Sequence, residues 1–177
     1  MSLVFLLGGA RSGKSALAVE LAREWRGPVA ILATAETKDA EMKERIRLHR
    51  VTRPKGWQTI EEPVALQAAL GSVADDRALI IDCLSLWVAN ALERGAADCD
   101  VEAEARGSAT IAATRNALTI AVSNEVGLGV VPVNALARRY RDVLGRVNAA
   151  WAHAADDAAL VVAGRLLRLE ASSVLGG

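Results

Sequence analysis

The chain has 177 residues, 52% of them hydrophobic and 24% charged, with 21 Lys and Arg side chains balanced by 21 Asp and Glu. That length and apolar content predict a single domain spanning residues 1–177 with a substantial core, and exclude a disordered chain. Zero net charge removes any bulk electrostatic recruitment to nucleic acid or to an anionic membrane.

The opening segment, residues 1–7, is too short for a signal peptide and lacks a basic start. No apolar run approaches the roughly 20 residues that cross a bilayer. Cys83 and Cys99 have no CxxC partner or histidine cluster beside them, which argues against a disulfide framework and a structural zinc site. A soluble, cytoplasmic protein is expected.

Leu3-Val4-Phe5-Leu6-Leu7 is an apolar run of strand length that ends in Gly8-Gly9, the pattern of a parallel strand covered on both faces. Residues 15–25 carry Leu17, Leu21 and Trp25 at helical spacing and stop at Gly27-Pro28. Residues 29–33 form a second apolar run. Residues 38–51 are charged but place Met42, Ile46 and His49 at i, i+4 and i+7, which predicts a helix. Residues 57–60 suit a short strand, and Pro63 suits the first turn of a helix reaching Leu70. A third buried strand, residues 78–82, ends in the carboxylate of Asp82. Residues 84–92 read as helix, and residues 95–116 as loop then helix without motif content. Residues 117–122 form a fourth apolar run, followed by a glycine-containing loop over 123–132. Leu136, Tyr140, Val143, Leu144, Val147 and Trp151 mark a long amphipathic helix. Residues 158–163 and 166–169 close the chain as a hairpin across Gly164-Arg165. Alternating strands and helices predict an α/β fold: a mostly parallel sheet, helices on both faces, and ligands at the carboxyl ends of the strands.

Gly8-Gly9-Ala10-Arg11-Ser12-Gly13-Lys14-Ser15 matches GxxxxGK[ST] between a strand and a helix, the context a phosphate-binding loop requires. Backbone N–H groups wrap a phosphate there, Lys14 meets the β and γ phosphates, and the Ser15 hydroxyl can ligate Mg²⁺. The motif predicts a P-loop nucleotide-binding domain. Asp82, at the end of its strand, can hold Mg²⁺ directly or through water; the competing reading is an N-cap for the helix starting at Leu84. A lone inward histidine such as His49 is more often a satisfied core residue. Here Arg47, Arg50 and Arg53 cluster with it, and cations beside an imidazole favour its neutral, nucleophilic form and attract phosphate; the bland alternative is a solvated basic face. Glu125 follows the fourth apolar run and faces the same crevice, where it could position magnesium, water or an acceptor hydroxyl, or cap a turn. Arg138, Arg139, Arg141 and Arg146 read as solvated, and His153 as a surface or packing residue.

Taken together, residues 8–15, Arg45-Ile46-Arg47-Leu48-His49-Arg50 with Arg53-Pro54, residues 57–63, Asp82-Cys83-Leu84-Ser85-Leu86-Trp87, residues 123–132 and residues 134–148 resemble one family. It is the bifunctional adenosylcobinamide kinase/adenosylcobinamide-phosphate guanylyltransferase family of cobalamin biosynthesis. The resemblance implies a RecA-like P-loop domain, a homotrimer, and two reactions on a corrinoid. A γ-phosphoryl group of ATP or GTP goes to the aminopropanol hydroxyl of adenosylcobinamide; GMP from GTP then goes to that phosphate, with release of pyrophosphate. The family's guanylylated histidine falls on His49. The resemblance also implies that Thr34, Ala35, Glu36, Arg50, Arg53, Glu61 and Asp82 surround the guanine nucleotide, with Glu61 and its neighbour Glu62 undistinguished. The sequence departs from the family at Leu48 and in the last strands, which carry Arg165 and Leu167 where members often have proline. Two competing readings are an ordinary small-molecule P-loop kinase with a structural His49 and a non-catalytic nucleotide switch.

Overall fold

A computed structural model describes residues 2–37, 43–44, 47 and 54–171. Among these residues the chain forms seven strands and five helices: β1 (Leu3–Leu7), α1 (Lys14–Arg23), β2 (Val29–Ala33), β3 (Gln58–Glu61), α2 (Leu66–Ser72), β4 (Ala78–Asp82), α3 (Leu84–Glu93), α4 (Asp98–Thr114), β5 (Thr119–Val122), α5 (Ala135–Ala154), β6 (Asp157–Val162) and β7 (Arg165–Leu169). One sheet runs β3-β2-β4-β5-β1-β6-β7. Every neighbouring pair is parallel except β6 and β7.

The continuous apolar runs become the central strands because both of their faces are covered. Leu3, Phe5, Ala30, Leu32, Leu79, Ile81 and Ala121 point into the core against α2, α3, α4 and α5. Their alternates Leu6, Val29, Ile31, Ala78, Ile80, Ile120 and Val122 pack with Ala18 and Ala22 of α1 on the opposite face. Helices therefore lie on both faces of a mostly parallel sheet, as the alternation implied. The 38–51 helix, by contrast, falls largely outside the described residues.

Three local expectations shift. The helix placed at Pro63 begins at Leu66, because the Glu62 carboxylate first accepts the N–H groups of Val64 and Ala65, each at 2.8 Å. The hairpin turns at Ala163 and Gly164, at φ 50° and 74°, while Arg165 stays in the ladder opposite Val162. Two positive φ values suit the right-handed twist of a two-residue hairpin. The arginines of α5 are paired rather than simply solvated: Arg139 Nε and Arg146 Nε donate to Asp98 and Glu102 of α4, both at 2.6 Å.

Candidate nucleotide-binding site

The phosphate-loop motif lies between β1 and α1, as its spacing demands. Gly8 has φ +153°, and a Cβ built on it would lie 2.3 Å from the Val161 carbonyl oxygen of β6. Only glycine lets the loop pass that close to the neighbouring strand. Gly13, at φ 105°, is the N-cap of α1, and the first turn of that helix carries no acidic residue. No side chain caps the helix, so its first turn and positive end face the loop, the combination that binds phosphate. The hairpin turn supports the loop from outside, with the Gly164 N–H donating to the Ser12 carbonyl at 2.8 Å. Lys14 is 6% exposed. Its Nζ donates to the carbonyls of Gly8 and Gly9 at 2.8 and 2.7 Å and to Ser12 Oγ at 3.3 Å, so the ammonium sits inside the loop. Ala10 and Arg11 form its outer turn, with Arg11 exposed at φ 56°.

Sheet register brings the remaining parts to the same edge. Glu61 pairs with Ala33, Ala33 with Asp82, Asp82 with Val122, and Val122 with Leu6, so these residues form one row at the carboxyl ends of five strands. At the row's centre the Ser15 hydroxyl donates to Asp82 Oδ1 at 3.2 Å. The capping alternative for Asp82 fails, because the N-cap of α3 is Cys83 and no side chain caps it. A hydroxyl and a carboxylate converging beside a phosphate loop are hard oxygen donors of the kind magnesium takes, so Ser15 and Asp82 fit that ion.

Thr34 is fully buried. Its hydroxyl donates to the Cys83 carbonyl at 2.7 Å and accepts from the Cys83 N–H at 3.0 Å, which ties the end of β2 to the end of β4. Cys83 Sγ lies 3.0 Å from Ser85 Oγ; burial, then the Asp82 charge, pushes its thiol pKa up. Both cysteines are free, with Cys99 exposed. Ala35 is partly exposed beside Thr34, and Glu36 pairs with Arg94, the C-cap of α3. Glu62 caps the approach to α2, whereas Glu61 ends β3 with an exposed side chain. Arg47 pairs with Glu44, Nε and Nη2 each donating at 2.7 Å. His49, Arg50 and Arg53 lie outside the described residues. Among the described residues no group of three His, Cys, Asp or Glu could hold a metal.

Two polar side chains that frame the site escaped the sequence reading. Asn90, 2% exposed in the apolar α3, donates from Nδ2 to the carbonyls of Thr34 and Pro63 at 2.8 and 3.2 Å. Asn148, 5% exposed on the core face of α5, accepts from Ser123 Oγ at 2.6 Å and donates to the Asn124 carbonyl at 3.0 Å. Each holds the root of a loop at the carboxyl edge. Their signal is an amide on an otherwise apolar helical stripe, since a buried amide must find partners.

The family model described as cobinamide kinase / cobinamide phosphate guanyltransferase matches residues 4–169. The chain belongs to this family. It is similar to the bifunctional adenosylcobalamin biosynthesis protein CobP of Pseudomonas aeruginosa, 44% identical over 90% of this chain and 92% of that one. The bifunctional adenosylcobalamin biosynthesis protein CobU of Salmonella typhimurium is 38% identical, covering 92% of this chain and 96% of its own. In fold the chain resembles the ATPase EscN of the enteropathogenic Escherichia coli type III secretion system, with TM-score 0.53 and 12% identity over 92% of this chain and 43% of that one. Family membership accords with the phosphate loop and with Asp82 beside Ser15.

Proposed function

We propose that the chain phosphorylates adenosylcobinamide with ATP or GTP, then transfers GMP from GTP through a guanylyl-histidine at His49 to adenosylcobinamide phosphate, giving adenosylcobinamide-GDP and pyrophosphate. The observation that carries the reading is the Ser15–Asp82 contact beneath an intact phosphate loop, in a chain of this family.

In both reactions the loop N–H groups and Lys14 bind a triphosphate and stabilise charge where phosphorus–oxygen bonds break. A magnesium ion held by Ser15 and Asp82 would neutralise phosphate charge when bound. The Asn90 and Thr34 bonds fix the β2 and β4 ends so that Ser15, Asp82 and Ala35 keep their spacing. In guanylyl transfer a neutral His49 nitrogen attacks the α-phosphorus of GTP and pyrophosphate departs with the electron pair of the broken bond. The resulting phosphoramidate is attacked by the corrinoid phosphate, and protonation of the imidazole aids its departure. One displacement between two anions thereby becomes two easier ones.

A homotrimer in the cytoplasm completes the reading. Leu128, Val130 and Val133 are 84%, 96% and 97% exposed, and the edge strand β7 exposes Leu166 and Leu167. Apolar surface of this extent suits burial against another copy. Among the described residues no helix is long and apolar enough to cross a membrane.

The test incubates the chain with adenosylcobinamide, ATP, GTP and magnesium and identifies products by mass spectrometry. Adenosylcobinamide-GDP with pyrophosphate is expected. His49→Ala should stop at adenosylcobinamide phosphate. A His49→Ala chain that still forms adenosylcobinamide-GDP contradicts the covalent route, and a wild type that makes only the phosphate reduces the protein to a kinase with a structural His49.

A further inference from the structure

The Gly8 carbonyl oxygen accepts two hydrogen bonds, from Lys14 Nζ at 2.8 Å and from the Glu125 N–H at 3.0 Å. The Glu125 backbone nitrogen is thus no farther from the Lys14 ammonium than those two bonds laid end to end. Its position is fixed from below. Ser123 N–H donates to the Leu6 carbonyl at 2.9 Å, and Asn148 holds both Ser123 Oγ and the Asn124 carbonyl. Glu125 is partly exposed and its backbone borders the phosphate loop, so an incoming molecule can reach its side chain.

Other described carboxylates at this edge have different work or the wrong place. Asp82 accepts from Ser15, Glu36 pairs with Arg94, and Glu62 accepts from the N–H groups of Val64 and Ala65 just before α2. Glu61 ends β3, four strands from β1 in the sheet order, a separation of about 19 Å at the usual strand spacing. Glu125 Oε1 accepts from the Gly127 N–H. A carboxylate offers two oxygens and about four acceptor positions, so the second oxygen can receive a substrate hydroxyl without disturbing that turn.

We propose that Glu125 is the general base of the phosphorylation step. The inference rests on the proposed function and deepens it by naming the group that activates the acceptor alcohol. The Glu125 carboxylate takes the proton of the corrinoid's hydroxyl while the hydroxyl oxygen bonds to the γ-phosphorus. The bond from that phosphorus to the β,γ-bridging oxygen breaks, and its electron pair leaves with the nucleoside diphosphate. The products are a phosphate monoester, the diphosphate and a protonated Glu125, which returns its proton to water.

Two substitutions give opposite patterns for a catalytic and a merely structural role. Glu125→Gln keeps an oxygen for the Gly127 N–H but is no base; Glu125→Asp keeps a base but shortens the cap. With wild-type adenosylcobinamide phosphorylation as reference, Glu125→Gln should lower kcat at least about 100-fold, with KM for ATP and for the corrinoid within about threefold. Glu125→Asp should recover at least about tenfold over Gln. A Gln variant near wild type, or an Asp variant worse than Gln, overturns the assignment. If the Gln variant loses its cooperative unfolding transition, Glu125→Ala decides: added formate should raise its phosphorylation rate at least about tenfold, and no rise overturns the proposal. A wild type that phosphorylates no corrinoid sinks the functional reading instead, whereas an active wild type with an equally active Gln variant sinks only Glu125.

Discussion

Ser15 and Asp82, 67 residues apart in sequence, meet through a 3.2 Å hydrogen bond from the serine hydroxyl to the carboxylate. The contact exists because β5 is the single strand between β4 and β1, and because Asp82 and Leu6 share Val122 as register partner. The sheet therefore sets the distance from the carboxylate to the phosphate loop.

Asp82→Asn tests that arrangement. The amide oxygen can still accept from Ser15, so the fold should survive with an unfolding midpoint close to wild type, but the negative charge is gone. The magnesium concentration for half-maximal phosphorylation should rise about 10–100-fold, the usual scale for disturbing a metal site. A magnesium titration that superimposes on wild type would remove Asp82 from the site.

The loop glycines should divide sharply. Gly8→Ala puts a methyl group 2.3 Å from a backbone oxygen of β6 at φ +153°, whereas a Cβ on Gly9 meets nothing within 4 Å. Denaturant unfolding should show a loss of about 2–4 kcal/mol for Gly8→Ala and a change within about 0.5 kcal/mol for Gly9→Ala. Equal effects would contradict the close approach of the loop to Val161.

Tyr140 offers a pH signature, because it is the chain's one tyrosine. Its hydroxyl donates to the Ser85 carbonyl at 3.2 Å, and burial, helped by Cys83, pushes its pKa from 10.0 up to about 12. The neutral phenol is the form the folded state favours. Between pH 10 and 12 the unfolded chain has released this proton and the folded chain still holds it, so stability present below pH 10 falls as pH rises through that window. Tyrosinate absorbance should rise near pH 12 in the folded protein and near pH 10 in denaturant. A folded-state midpoint at the ordinary value would place the ring in water.

Much of this edge was legible because its chemistry is local. The GxxxxGK[ST] spacing fixes a strand, a glycine loop and a helix together, and the apolar runs at residues 29–33 and 78–82 are covered on both faces. The parts that were missed depend on partners distant in sequence. Arg115 closes an Ala-rich stretch and is 3% exposed. Its guanidinium donates to the Val73, Ala74 and Arg77 carbonyls at 2.9, 2.9 and 2.7 Å, and nothing near it in sequence indicates that turn. Pro63 suited a helix start by its own conformation, yet the neighbouring Glu62 carboxylate delayed the helix. The sequence could propose Asp82 as either ligand or cap; the cap is ruled out only by the local geometry, in which Cys83 is the N-cap of α3 and no side chain caps it.

Guanylylation of His49 is the central claim, and intact mass reads it directly. The wild-type chain, incubated with GTP and magnesium without corrinoid and kept from acid, should gain one GMP-sized increment that maps to the peptide containing residue 49 and disappears on acid treatment. His49→Ala should gain none. An unmodified wild type under conditions where adenosylcobinamide-GDP is formed, or an increment carried on another residue, would contradict it.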